Sequence, residues 1–166
     1  MVILLMGTTG AGKTTVGKLL AARLGWTFLD ADDFHPQANV EKMKHGIPLT
    51  DADRLPWLEA IHTELVRLSA AGDNVVLACS ALKQSYRDQL SAGLEMPIVY
   101  LRGSYDEMRR HIERRHGHFA GESILAGQFA ELQEPQDALV LDVSRTPDEL
   151  SAAVIARLNL AQPPAA

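Results

Sequence analysis

The sequence predicts a three-layer α/β/α domain built on a five-stranded parallel sheet. Two observations predict this class: short apolar runs alternate with longer segments of helical period, and a glycine-rich turn joins the first run to the first helical segment. Parallel strands need a crossover connection, which is usually helical, so regular alternation favours a parallel sheet covered on both faces. We expect a single domain over residues 1–161 and a frayed tail at 162–166.

Five apolar runs are the predicted strands. The first, Val2–Met6, has neither the positive segment nor the cleavage signal of a secretory leader, so we interpret it as a strand. The other runs cover residues 26–30, 75–78, 98–101 and 138–143. Their near-continuous apolar character is typical of parallel strands that are buried on both faces.

Seven segments between and after these runs have helical period. In Lys13–Leu24, apolar residues recur three and four positions apart, which predicts one apolar face. Residues 56–71 likewise place Trp57, Ile61 and Leu65 on one face, and Gly72 ends the segment. The remaining predicted helices cover residues 38–45, 83–92, 106–115, 123–132 and 148–158.

Composition narrows the possible partners. With 16 basic and 21 acidic residues the net charge is -5, which disfavours a nucleic-acid partner. A single cysteine, Cys79, excludes a disulfide scaffold or a cysteine-based zinc site. No segment approaches the roughly 18 consecutive apolar residues of a membrane span, so we expect no membrane partner and a cytoplasmic location.

The turn after the first predicted strand predicts a phosphate-binding loop. Gly-Thr-Thr-Gly-Ala-Gly-Lys-Thr at 7–14 matches G-x-x-x-x-G-K-[ST] at every fixed position, and it lies between a strand and a helix as the motif requires. Glycines let the backbone N–H groups converge, and the helix N-terminus adds positive potential. Lys13 would contact the β- and γ-phosphates, and the Thr14 hydroxyl would ligate Mg²⁺. The predicted nucleotide-binding residues are Gly7, Thr8, Thr9, Gly10, Ala11, Gly12, Lys13, Thr14 and Thr15.

Two carboxylates follow the second predicted strand. Asp30 and Asp32 lie at its carboxyl end, which faces the ligand crevice in an open parallel sheet. The strand at 75–78 ends in Cys79-Ser80 and offers no acid for the metal. We expect one carboxylate near the metal and the other near an acceptor hydroxyl, whose proton it would take.

Three further segments carry a more specific pattern: Leu-Asp-Ala-Asp-Asp-Phe-His-Pro at 29–36, Asp-Arg-Leu-Pro-Trp-Leu at 53–58 and Cys-Ser-Ala-Leu-Lys at 79–83. With the phosphate loop, they resemble the gluconokinase family, small P-loop kinases related to shikimate kinase. The resemblance covers roughly residues 2–143. It implies a P-loop kinase fold with a mobile lid, ATP and Mg²⁺ as cofactors, a homodimer, and phosphorylation of the 6-hydroxyl of D-gluconate to 6-phospho-D-gluconate.

The resemblance also implies residue roles. Asp32 would hold and deprotonate the acceptor hydroxyl, and Asp30 would support Mg²⁺ through water. Arg54 would clamp the substrate. Arg115 lies in a segment that resembles the family's lid, about residues 115–122, and would stabilise the transferred phosphoryl group together with Lys13.

Gluconate itself, a linear polyol ending in a carboxylate, needs a cationic anchor and polar contacts. Besides Arg54, the candidates are Lys83 and Arg87, four residues apart on one predicted helix, with His35 as a polyol contact. Arg54 has an alternative role in an ion pair with Asp51 or Asp53, and His35 an alternative role in a structural turn. A kinase for another small hydroxy acid such as shikimate, or a nucleotide-dependent binding module without transfer, remain the alternative functions.

Overall fold

The structure, a computed structural model, describes residues 1–116 and 120–161, without the side chains of 115, 116 and 120–122. In these ranges the chain forms five strands: β1 (Val2–Met6), β2 (Thr27–Asp30), β3 (Val75–Ala78), β4 (Ile98–Arg102) and β5 (Ala138–Asp142). The helices are α1 (Lys13–Leu24), α2 (Gln37–Lys44), α3 (Asp51–Ala70), α4 (Gln84–Ser91), α5 (Tyr105–His116), α6 (Ala120–Glu131) and α7 (Pro147–Arg157). A 3₁₀ helix, Ala31–Phe34, follows β2 directly.

The five strands form one parallel sheet in the order β2-β3-β1-β4-β5, which confirms the predicted fold class. Leu5 of β1 and Asp30 of β2 both pair with Ala78 of β3. The carboxyl ends of these three strands therefore lie side by side. This register brings the loop after β1 and the two acids at the carboxyl end of β2 to the same edge of the sheet, with β3 between them.

Two apolar clusters cover the two faces of the sheet. Because successive strand side chains point to opposite faces, β1 sends Ile3 and Leu5 into the cluster formed with α1, α5, α6 and α7. Its neighbours Val2, Leu4 and Met6 enter the cluster formed with α3 and α4. The sheet is thus the middle layer of the predicted three.

Helix α3 begins earlier than predicted. We expected a helix over 56–71, but it starts at Asp51 because Thr50 and Asp53 form a capping box. Asp53 N donates to Thr50 Oγ1 at 3.2 Å, and Thr50 N donates to Asp53 Oδ2 at 2.9 Å. Pro56 therefore lies inside the helix, and Arg54 lies in its first two turns.

The other predicted elements agree with the structure to within a few residues. Lys83, predicted as the first residue of a helix, is instead the N-cap of α4. Among the described residues, no helix combines the length and the apolar character that crossing a membrane would require.

Candidate active site

The loop between β1 and α1 has the backbone shape of a phosphate cradle. Gly12, the N-cap of α1, has φ +84° and makes no side-chain cap hydrogen bond to this helix. The start of a helix is a position where backbone N–H groups bind anions. Gly10 has φ +85°, and a Cβ there would lie 2.8 Å from the carbonyl oxygen of Met108. Glycine at position 10 therefore allows both the left-handed turn and the close approach of α5.

The side chains of Lys13, Thr14 and Asp30 each make a hydrogen bond at or beside this loop. Lys13 Nζ donates to Thr8 O at 3.0 Å, and Thr14 Oγ1 donates to Asp30 Oδ2 at 2.8 Å. Asp30 Oδ1 accepts from Asp32 N at 3.2 Å, which caps the 3₁₀ helix. The structure thus brings the predicted metal pair, Thr14 and Asp30, into direct contact.

Hydroxyl and carboxylate oxygens suit Mg²⁺, which in nucleotide sites takes one or two protein ligands and completes its shell with phosphate oxygens and water. In the described parts of the chain, no group of three or more His, Cys, Asp or Glu side chains is arranged to hold a metal. The sparse oxygen pair of Thr14 and Asp30 fits a magnesium ion that arrives with a nucleotide better than it fits a resident metal.

The acceptor-side acid, Asp32, lies within the 3₁₀ helix that follows β2. Trp57 of α3 fixes this helix, because its indole Nε1 donates a buried hydrogen bond of 2.7 Å to Ala31 O. Asp32 keeps solvent-exposed surface, but the protein around its carboxyl raises the pKa, chiefly by desolvation and further by repulsion from Asp30. Lys13 opposes this shift, so the two groups sense each other's charge.

His35 is the C-cap of the 3₁₀ helix that carries Asp32. Its ring stacks on the Trp57 indole, with ring centroids 4.6 Å apart and planes 8° from parallel. Burial lowers the pKa of His35, the charge of Arg54 lowers it further, and Asp32 acts in the opposite direction. A neutral His35 near pH 7 can donate a hydrogen bond to an alcohol or accept one from it.

Arg54 is the centre of a charged cluster near His35, whose other members are Asp51, Lys83, Tyr86 and Glu131. Its Nη1 donates to Tyr86 OH at 2.9 Å and lies 3.0 Å from Glu131 Oε2 and 3.7 Å from Asp51 Oδ1. Lys83 Nζ donates to the same Asp51 oxygen at 2.7 Å, and the Tyr86 hydroxyl also donates to it. The alternative prediction of an ion pair is thus confirmed for Asp51.

Asp53, the other suggested partner of Arg54, is engaged elsewhere. Lys42 Nζ donates to both of its carboxylate oxygens, at 2.7 and 2.8 Å. The Lys42 hydrogen bonds, followed by those from Thr50, lower the pKa of Asp53 to about 2. The guanidinium of Arg54 therefore contacts Tyr86, Glu131 and Asp51 and does not pair with Asp53.

The structure gives Arg87 a role different from the predicted one. Its side chain is buried, and Nη1 donates to Ala81 O at 2.8 Å and to Leu82 O at 3.1 Å. Nη2 donates to Gln84 Oε1 at 2.8 Å. The prediction that Arg87 contacts a substrate is therefore corrected, because its donors hold the turn that precedes Lys83.

Three further predictions fall partly or wholly outside the described residues. The side chain of Arg115 lies outside them, as do residues 117–119 in the middle of the predicted lid at 115–122. The predicted tail, 162–166, also lies outside the described residues.

Sequence reasoning missed three residues that contact the site. Gln128 Oε1 accepts a hydrogen bond of 2.6 Å from Thr9 N, and His111 Nδ1 lies 3.0 Å from Gly10 O. Glu131 contacts Arg54, as described above. The helical period places Gln128 and Glu131 on one face of α6, but nothing local in the sequence indicates their distant partners.

A cavity of about 310 Å³ opens beside the phosphate loop. Its walls include Gly12 of the loop, Thr15 of α1, Arg114 of α5, and Arg145 and Pro147 after β5. The volume is at the lower end for a small-molecule pocket, and the cavity lies where an open parallel sheet binds ligands.

A parallel sheet of this order, a phosphate loop after β1 and two acids at the carboxyl end of β2 are the features of a P-loop kinase. The family model described as "AAA domain" matches residues 2–135. The chain is 50% identical over 137 residues to a gluconokinase of Gluconobacter oxydans (strain 621H), covering 81% of this chain and 76% of that protein. It is 42% identical over 179 residues to a probable gluconokinase of Mus musculus, covering 95% and 97%.

Solved structures agree with these relatives. A gluconokinase from Sinorhizobium meliloti 1021 superposes with a TM-score of 0.84 at 39% identity, over 95% of this chain and 92% of that one. An unliganded sugar kinase from Janibacter sp. HTCC2649 superposes with a TM-score of 0.88 at 36% identity, over 96% and 95%. The chain belongs to the gluconokinase family, which confirms the resemblance found in its motifs.

Proposed function

We propose that this protein transfers the γ-phosphoryl group of ATP to the 6-hydroxyl of D-gluconate, giving 6-phospho-D-gluconate and ADP. The observation that carries the proposal is the position of Asp32. Its partly desolvated carboxyl lies close enough to Lys13 for the two charges to interact. An acid in that position can act on an alcohol that faces the phosphate loop.

The nucleotide half of the site uses the loop from Gly7 to Thr15. Backbone N–H groups at the start of α1, with Lys13, would hold the β- and γ-phosphates. The cavity beside Thr15 and Arg114 would take the nucleoside. Thr14 and Asp30 would hold Mg²⁺, and such an ion, when bound, neutralises charge on the phosphate oxygens.

On the acceptor side, Asp32 would orient the 6-hydroxyl and receive its proton as the oxygen bonds to the γ-phosphorus. The bond from that phosphorus to the β,γ-bridging oxygen breaks, and ADP leaves with the electron pair. Lys13 stabilises charge on the phosphoryl oxygens during transfer. His35 supplies a hydrogen bond to a polyol hydroxyl.

The carboxylate end of gluconate requires a cation, and Arg54 is the best placed in the cluster. The charge of Arg54 lowers the pKa of His35, which lies near Asp32 in the site. An arginine fork can bind a carboxylate through two parallel N–H donors, and Lys83 adds a second positive charge nearby. Arg115 and the segment 115–122 are proposed as the closing lid, and a homodimer and a cytoplasmic location are likewise proposed by analogy with the family.

A coupled assay of ADP release tests the function. D-gluconate, shikimate and AMP are compared as acceptors at saturating Mg·ATP. We expect gluconate to accelerate ADP release by orders of magnitude and the other two to leave the basal rate unchanged. A faster rate with shikimate or AMP would contradict the substrate, and a rate that ignores every acceptor would favour a nucleotide-dependent binding module.

Replacement of Arg54 tests the acceptor clamp. Charge-assisted hydrogen bonds contribute about 1.5–3 kcal/mol, so Arg54→Ala should raise the KM for gluconate roughly 10- to 150-fold and leave the KM for ATP unchanged. Arg67→Ala is the matched control, because Arg67 lies on the same helix and pairs with the surface residue Glu64. An unchanged KM for gluconate in Arg54→Ala would show that Arg54 does not bind the acceptor.

A further inference from the structure

Helix α6 contacts both halves of the site through two residues one turn apart. Gln128 Oε1 accepts from Thr9 N of the phosphate loop at 2.6 Å. Glu131 Oε2 lies 3.0 Å from Nη1 of Arg54. Residues three apart share a helix face and are separated by a rise of about 4.5 Å. One turn of α6 therefore connects the donor loop to the acceptor clamp.

The contacts on Arg54 are concentrated on one nitrogen. Tyr86 OH, Glu131 and Asp51 all contact Nη1. Within the described residues, Nε and Nη2 of Arg54 make no hydrogen bond. These two nitrogens form one edge of the guanidinium, which presents two parallel N–H donors, the geometry that a carboxylate binds bidentately.

Glu131 is the principal carboxylate on this arginine. Its side chain is 34% exposed, against 64% for Asp51, and its oxygen lies closer to Nη1. Asp51 is also engaged by Lys83. A less exposed and closer carboxylate interacts more strongly with the guanidinium, because water screens it less. Without Glu131, only Tyr86 and the more exposed Asp51 would orient the Arg54 side chain.

We propose that Glu131 and Gln128 are positioning residues that register the acceptor clamp against the phosphate loop. Glu131 holds Nη1, so that the Nε and Nη2 edge of Arg54 is presented to the acceptor's carboxylate. Gln128 fixes the same helix to Thr9, so that this edge stays at a constant distance from the donor phosphates. This inference rests on the proposed function, since it takes Arg54 as the anchor of a sugar-acid carboxylate.

The test of Glu131 is Glu131→Gln, which keeps the shape and removes the charge. We expect the KM for gluconate to rise about tenfold, with kcat within twofold and the KM for ATP unchanged. In an Arg54→Ala background the same substitution should change the KM for gluconate less than twofold, because Glu131 acts through Arg54. Glu134→Gln is the control, since Glu134 lies three residues further on and accepts from Tyr100 OH.

Different results separate the possible failures. An unchanged or lower KM in Glu131→Gln would overturn the role of Glu131, and so would an equal rise in the Arg54→Ala background, which indicates a general structural effect. Thermal midpoints of all variants show whether each protein is folded under assay conditions. If the wild-type protein shows no gluconate-dependent ADP release, the proposed function fails, and this inference fails with it.

Gln128→Met tests the other end of the link. Methionine has a similar length but offers no strong acceptor to Thr9 N. We expect kcat to fall about tenfold while the KM for gluconate stays within threefold, because misregistration affects transfer more than the grip of either site. An unchanged kcat with a normal thermal midpoint would overturn the role of Gln128.

Discussion

Trp57 holds the 3₁₀ helix that carries Asp32 through a hydrogen bond to Ala31 O. Trp57→Phe is therefore the most informative single change. Phenylalanine keeps an aromatic ring against His35 but loses the N–H that donates to Ala31 O at 2.7 Å. Ala31 is 1% exposed, so its carbonyl oxygen would lose a partner that water cannot easily replace. The 3₁₀ helix still offers this oxygen the Phe34 N–H, so the change removes one hydrogen bond, which contributes about 0.5–1.5 kcal/mol. For a domain of this size, that corresponds to a fall of roughly 1–6 °C in Tm.

In Trp57→Phe, kcat should fall by more than the loss of stability explains. The 3₁₀ helix that carries Asp32 loses its tether, and a displacement of about 1 Å at a catalytic group can cost on the order of 10²-fold in rate. Differential scanning fluorimetry and the coupled ADP assay measure the two effects on the same samples. We expect a lower Tm, a kcat lowered by one to two orders of magnitude, and an unchanged KM for ATP.

Trp26→Phe is the matched control for this experiment. Trp26 packs against the opposite apolar cluster, and its indole makes no hydrogen bond within the described residues. Its replacement should lower Tm without a selective loss of kcat. A lower Tm with normal kcat in Trp57→Phe would refute the positioning of Asp32 by Trp57, and a normal Tm would refute the buried hydrogen bond.

Three further expectations follow from the pKa of Asp32 and the burial of Arg87. The pKa of Asp32 is raised above 3.8 in the unliganded protein, and the base must be ionised, so kcat/KM for gluconate should fall as pH decreases through a midpoint above that value. A midpoint at or below 3.8 would contradict this. A raised folded pKa also means that the ionised carboxyl destabilises the fold. Asp32→Asn should therefore have a higher Tm than wild type at pH 7, and this gain should vanish near pH 3.5; a lower Tm at pH 7 would contradict it. Arg87→Met removes the donor to Ala81 O, whereas Leu82 O keeps its hydrogen bond from Gln133 N. The free energy of unfolding should therefore fall by about 1–3 kcal/mol in denaturant titrations. A larger rise in the KM for gluconate than in Arg54→Ala would restore Arg87 as a substrate contact.

The fold could be predicted because its determinants are local. Each strand is a short apolar run. The phosphate-loop motif also predicts the strand before it and the helix after it. The start of α3 was missed because a proline at 56 favours a helix start there, while the capping box of Thr50 and Asp53 begins the helix five residues earlier. Side-chain hydrogen bonds at the cap outweighed the local preference.

The site was predictable where its residues are close in sequence. Thr14, Asp30 and Asp32 come from two short motifs, and the parallel register brings those motifs together. The link through α6 was not predictable, since Thr9 and Gln128 are separated by 119 positions, and only the folded packing pairs them.

Arg87 shows a different limit of sequence reasoning. It lies one turn after Lys83, which suggested a shared binding face, but it also lies three residues before the buried Leu90. Both neighbours share a helix face with Arg87, and the burial of the α3–α4 cluster decides between them. A cationic side chain is seldom buried without partners, and the turn carbonyls supply those partners.

The most direct test of the central claim is the rate of γ-phosphoryl transfer to D-gluconate by Asp32→Asn, measured beside its affinity for ATP. If Asp32 is the acceptor base, single-turnover transfer with labelled ATP should slow by about 10²–10⁴-fold, and the Kd for ATP should stay within about threefold of wild type. Transfer at the wild-type rate would contradict the account.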